Sequence, residues 1–259
     1  MKLNIVPART GLEWVKLGIQ TFFRQPLALA GLFFMFMAIM SIATLIPFVG
    51  VVIALAFLPA ATLGLMAATQ EATRGKFPMP SILITALRAD RAQFRSMLVL
   101  GALYAAGILL VMSISALFDG GQLAKMYLLG GGVSDKVILS PDFRTAMWVA
   151  MSLYLPLSLL FWHAPALVHW HGVPPLKSLF FSIVACFRNF GAFTVYGLAW
   201  AAVFMVTGLV FTLLAALLGS PEIISVAMMP VALLMASMFF TSIYFTFRDS
   251  FAATDTETA

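Results

Sequence analysis

A chain of 259 residues that is 62% hydrophobic and only 10% charged falls outside the ordinary soluble class, in which roughly 25% of residues carry charge. Its mean hydropathy of +1.03 makes the bilayer crossing, about 20 apolar residues, the natural unit of length. The net charge of +5 sits beside apolar runs, as in cytoplasmic loops facing anionic lipid rather than a nucleic-acid surface, and the single cysteine, Cys186, excludes an internal disulfide and a Cys-based metal cage.

Residues 11–24 read as an amphipathic helix in the plane of the membrane. Leu12, Val15, Ile19, Phe22 and Phe23 share one stripe, and Glu13, Lys16, Gln20 and Arg24 share another flank. Trp14 and Leu17 break the pattern, and tryptophan is at home at the lipid interface. The first long apolar run follows near Leu27 and is long enough to span rather than to act as a cleaved signal. No charge occurs from Gln25 to Gln70, too long a stretch for one crossing, and Pro47 with Phe-Val-Gly50 supplies a break. Spans are therefore expected at about 27–46 and 49–69.

Residues 71–97 return to polar sequence. Arg88, Arg91 and Arg95 fall at i, i+3 and i+7, which predicts one basic helix face toward headgroups or a phosphate. A third span is expected over 98–118, followed by a Gly-rich outer loop at 119–144 in which Gln122 to Leu129 could form a short helix. A fourth covers 145–168. After it come a Gly/Pro turn and a third surface helix whose apolar stripe is Leu176, Leu179, Phe180, Ile183 and Phe187. Spans five and six cover about 189–218 and the stretch from the Gly219-Ser-Pro-Glu222 turn to Phe247. A tail over 249–259 is expected to be disordered. Twelve of the 15 Lys/Arg lie in loops that a six-span arrangement with both termini inside places in the cytoplasm.

The plan repeats three times, over about 11–70, 78–168 and 174–247, within a single membrane domain of residues 1–259. Each copy has a surface helix ending in Phe-Arg (Phe23-Arg24, Phe94-Arg95, Phe187-Arg188) and then two spans. Gly75-Lys-Phe-Pro-Met-Pro-Ser81 matches Gly172-Val-Pro-Pro-Leu-Lys-Ser178. The odd spans share a glycine with an aromatic three residues on (Gly31/Phe34, Gly101/Tyr104, Gly197/Trp200), suited to close backbone approach. The even spans carry Pro59, Pro156, Pro165 and Pro230, which predicts bent helices. The fold class is thus all-α integral membrane.

The Ala164-Pro-Ala-Leu-Val, Gly172-Val-Pro-Pro-Leu-Lys-Ser and Phe187-Arg-Asn pattern resembles an uncharacterised family of multi-spanning bacterial membrane proteins. More distantly it is similar to the membrane domains attached to glycerophosphodiester phosphodiesterases. The resemblance implies a multi-pass protein of the bacterial cytoplasmic (inner) membrane. It brings no catalytic residues, because catalysis in those phosphodiesterases belongs to a separate soluble domain.

The spans contain no Asp, Glu, Lys or Arg, which argues against a proton-coupled pump. The three histidines, His163, His169 and His171, are a candidate ligand site. On a continuous helix His163 and His169 would point about 120° apart without a helper carboxylate, so interfacial anchoring with Trp162 and Trp170 competes with metal or quinone-type binding. The 16 methionines could suit Cu(I) but also fill packing gaps. No catalytic motif, metal or cofactor is expected. Arg24, Arg88, Arg91, Arg95 and Arg188 are the candidate lipid-phosphate contacts. The sequence favours a non-enzymatic accessory or scaffold subunit, or an assembly factor, with lipids and other membrane subunits as partners and no nucleic acid. The alternative is a transporter or lipid-handling protein with a cavity lined by the proline-bearing even helices.

Overall fold

The computed structural model describes residues 2–47, 49–218 and 221–252. Helix α1 (Thr10–Arg24) precedes two long helices, α2 (Pro26–Thr44) and α3 (Gly50–Thr73). A 3-10 segment at Pro80–Leu87 leads to α4 (Arg91–Asp119), followed by the short α5 (Gln122–Leu129) and α6 (Asp135–Ile138). Then come α7 (Pro141–Phe161), α8 (Ala164–His171), α9 (Pro175–Arg188), α10 (Phe190–Leu218) and α11 (Pro221–Ser250). A two-residue antiparallel pair joins the ends, β1 (Lys2–Leu3) with β2 (Phe251–Ala252).

Six helical stretches are long and apolar enough to cross a bilayer: α2, α3, α4, α7 continuing into α8, α10 and α11. The protein is an all-α multi-pass membrane protein. Hydroxyls inside the crossings bond back to their own helix, Thr69 to the Leu65 carbonyl and Ser113 to that of Leu109. This satisfies polar groups that lipid could not. Local chemistry sets several helix ends. Asp90 caps α4 by accepting from the Gln93 N–H at 2.7 Å. Ser140 caps α7, accepting from Phe143 N–H, with Pro141 in the first turn where a missing N–H costs nothing.

The described chain forms two compact units, one of residues 1–35, 62–85 and 185 onward, the other of 36–61 and 86–184. In the first, α1 lies along α10 and α11. Gly11 and Gly18 permit this, because a Cβ at Gly11 would run into the Ala192 carbonyl and one at Gly18 into Ser242. In the second, α4 packs on α7, and Gly101 lies against the Ala56 backbone.

Several expectations are revised. The second surface segment is not an α-helix: it is 3-10 over 80–87, and Phe94-Arg95 belongs to the first turns of α4. The fourth crossing breaks at Trp162–His163. Close approach at a glycine of an odd span occurs in α4, whereas Gly31, Gly197 and Gly208 face open space. Trp14, expected at the lipid interface, is fully buried. Regular structure continues through Ala252, beyond the exit expected at Arg248–Asp249. The rest of the tail, the Gly219–Ser220 turn and Phe48 lie outside the described residues.

Candidate functional site

The second unit holds an apolar cavity, and it exists because the chain reverses after α4. Gly120 and Gly121 have φ of 64° and 86°, a left-handed pair that only glycine adopts freely. The Asp119 carboxylate accepts from the N–H groups of Gly121 (2.8 Å) and Leu123 (2.7 Å), which pins the start of α5. Helix α5 then lies on α4 and α7, with Leu123 buried among Val111, Phe143, Ala146 and Ala150.

Beside that cluster lies a cleft of about 380 Å³, within the ~300–1,000 Å³ range of small-molecule sites. Met112 of α4, Met147 and Met151 of α7, and the rings of Tyr127 and Tyr154 form most of its wall, and Leu55 of α3 completes it. Among the described residues no charged side chain lines it. Met112 and Ile108 sit two to three turns before the end of α4 at Asp119, roughly 10–17 Å along the axis, so the cleft opens at the depth of lipid chains. Its walls come from α3, α4, α5 and α7, and none of the prolines of the even spans is among the residues that line it. A second cleft of about 550 Å³ borders the turn between α2 and α3, lined by Leu45, Pro47, Val52, Leu109 and Leu129. The two share Tyr127 and Leu128.

The arginines lie elsewhere. Arg24 ends α1 and Arg188 ends α9, both exposed. Arg88 precedes α4, so the basic face continues on that helix only as Arg91 and Arg95, also exposed. Arg95 is more than three turns from Ile108, about 20 Å, so the basic start of α4 does not reach the cleft.

The histidines are not gathered into a ligand set. His163 is fully buried at the break between α7 and α8, where its backbone N–H donates to Ser182 Oγ at 2.9 Å. Ser182 Oγ in turn donates to the Leu159 carbonyl at 2.7 Å. One serine of α9 thus satisfies a donor and an acceptor beside the interrupted helix. His169 and His171 are half-buried on α8. Among the described residues no group of three His, Cys, Asp or Glu could hold a metal ion.

The first unit carries a polar hub absent from the sequence expectations. Asn189 Oδ1 accepts from the Val6 N–H at 2.9 Å, and its Nδ2 donates to the Asn4 carbonyl at 3.0 Å and to Ser250 Oγ at 3.4 Å. Trp14 Nε1 donates to Asp249 Oδ2 at 2.9 Å. Ser242 spends its hydrogen on the Phe239 carbonyl and accepts from Trp200 Nε1, so the Tyr196 hydroxyl donates to it. The hub ties residues 4 and 6 to Asn189, which also reaches Ser250.

A protein of Burkholderia thailandensis described as a probable inner membrane protein is 39% identical to this chain over 254 residues. The match covers 97% of this chain and 94% of that protein. No family model matches the chain. No solved structure matches it.

Proposed function

The chain belongs to the family of that inner membrane protein, and we propose that it is a non-enzymatic, lipid-handling protein of the bacterial inner membrane. The reading is carried by the methionine-lined cleft, which is mostly apolar and whose α4 wall lies two to three turns inside a crossing helix. Unbranched methionine adapts to a flexible chain without a fixed shape. The charge pattern would put this cleft in the outer leaflet, with the cytoplasmic arginines serving to anchor the opposite rim on lipid phosphate. Native mass spectrometry of the protein released from its own membranes tests the reading. Bound lipid is expected, and Met151→Trp, which fills the mouth from a position already 55% exposed, should strip it. A protein that emerges lipid-free from mild detergent and takes up none removes the reading.

A second reading, an accessory or scaffold subunit or assembly factor, is favoured by α10. Only 6% of its apolar window is buried, so much of that stretch is available to a neighbour in the membrane, although the start of the helix packs on α1. A chain that always migrates alone after gentle extraction would count against it.

A further inference from the structure

The two clefts share a wall. Tyr127 and Leu128, in the last turn of α5, face the methionine-lined cleft on one side and the cleft at the α2–α3 turn on the other. Their volumes, about 380 and 550 Å³, are similar in scale, and each lies within the usual range for one small apolar ligand. They differ in position. The first is walled by the middle of α4 and by α7, whereas the second reaches the helix ends at Thr44–Pro47 and Gly130. One limb is therefore deep and apolar, and the other rises toward the polar surface.

Lysine is placed at that upper end. The stem of Lys125 lies against Gly131, next to Gly130 in the wall of the second cleft, and its residue is exposed. A long aliphatic stem along the rim with its ammonium in water is the arrangement by which lysine meets a headgroup. The helix bearing the divider is bounded by glycines of left-handed φ, Gly121 before it and Gly130 after it (62°). These positions let α5 sit as a discrete piece between the limbs.

We propose that the occupant is a single two-chain membrane lipid straddling α5. One acyl chain lies in the methionine-lined cleft and the other in the neighbouring one, with the headgroup at the Lys125 rim. This rests on the lipid-handling reading and deepens it, because a fatty acid or other one-chain amphiphile would need only one limb. Two chains on one backbone act as linked modules, so filling one limb raises the effective concentration of the second chain at the other.

The test uses the full chain in vesicles of phosphatidylethanolamine and phosphatidylglycerol containing trace phospholipid with a photoactivatable group on one chain or the other. Labelled residues are mapped by mass spectrometry. Labels are expected in both clefts. Met151→Trp blocks the first limb and Val52→Trp the second, each from an already exposed position. Each is expected to cut labelling in both limbs by ~10-fold or more, the signature of one linked ligand. If each variant silences only its own cleft, or if one cleft alone is labelled, the two-chain proposal is overturned while the lipid-handling reading stands. If neither cleft is labelled above other bilayer-facing residues, both fall. Unchanged helical circular dichroism of the two variants separates blocked binding from misfolding.

Discussion

In the unit that joins the chain's two ends, helices are brought to near backbone contact and locked by side-chain hydrogen bonds. Around α5, in the other unit, the side chains beside the cleft are mostly apolar and leave room. Gly11 and Gly18 let α1 settle on α10 and α11, and Asn189, Asp249 and Ser242 each bind two or more partners there. The α5 side instead offers methionine, leucine and tyrosine around a cleft. Directional bonds fix one geometry, because a buried group that loses its partner keeps its desolvation cost. Apolar contacts in a bilayer discriminate weakly, since lipid chains are as good a neighbour as leucine. The difference teaches where stability and ligand accommodation are separated in this molecule.

The sharpest break of that contrast is Asn189→Ala. It strands the Val6 N–H and the Asn4 carbonyl in a site where Asn189 is 2% exposed, and should cost about 3 kcal/mol. Thermal unfolding in detergent measures the loss, with Asn189→Asp intermediate because it keeps the acceptor but not the donors. A local reporter is already present. Burial pushes the Cys186 thiol up to about 12, since desolvation disfavours the thiolate. Maleimide at pH 8 should therefore leave Cys186 unmodified in the native protein and modify it faster in Asn189→Ala. Equal stability and equal labelling would show that the hub does not lock the unit.

Next comes one substitution with opposite outcomes at two glycines. Gly18→Ala puts a methyl into Ser242 and should destabilise by about 1–2 kcal/mol, the usual cost of overpacking. Gly197→Ala meets nothing within 4 Å and should be neutral, or stabilise by up to ~1 kcal/mol through helix propensity. Matching melting temperatures for the pair would remove the close-approach account. Of similar size is Trp14→Phe, which keeps most of the ring volume but drops the bond to Asp249. A loss of about 1.5 kcal/mol is expected, as for a hydrogen bond to a charged group, read from the same melting curves.

Six crossings were legible because each needs an uninterrupted apolar run, and lipid enforces that rule residue by residue. The turns were legible too: Gly75 and Gly172, paired in the repeat, both adopt positive φ. The faces were legible only in part. Hydrophobic periodicity puts Leu12, Val15, Ile19, Phe22 and Phe23 on one stripe of α1; Val15 and Phe22 are buried, Leu12 and Phe23 point outward, and Gly11, Trp14 and Gly18 complete the protein-facing side. In a bilayer both sides of such a helix are apolar, so small residues help to mark the contact. On α9 the stripe is turned away from the protein, with Ser178, Ser182 and Ala185 buried and Leu176, Phe180 and Phe187 exposed. The cleft was invisible for a different reason. It is a space left by tertiary packing, and Met112, Met147 and Met151 come from two helices with no shared motif. Asn189 ends the Phe187-Arg-Asn pattern, but nothing in the sequence near it announces that residues 4 and 6 return to it.

Leu123→Ala is expected to have the smallest effect on global stability and the clearest local one. Leu123 is the one fully buried side chain of α5, 2% exposed, and anchors that helix to Val111, Phe143 and Ala146. Truncating a buried leucine typically costs about 2–5 kcal/mol, but only where the surrounding structure must unfold with it. Helix α5 has eight residues, too few for stability of its own, and is flanked by left-handed glycines, so it can open alone. The substitution should leave the melting temperature nearly unchanged while faster amide exchange and protease cutting appear between Gly120 and Gly132. A global loss comparable to that of Asn189→Ala would mean that α5 is built into the core of its unit. The division between a locked unit and an accommodating one would then fail at the helix that defines it.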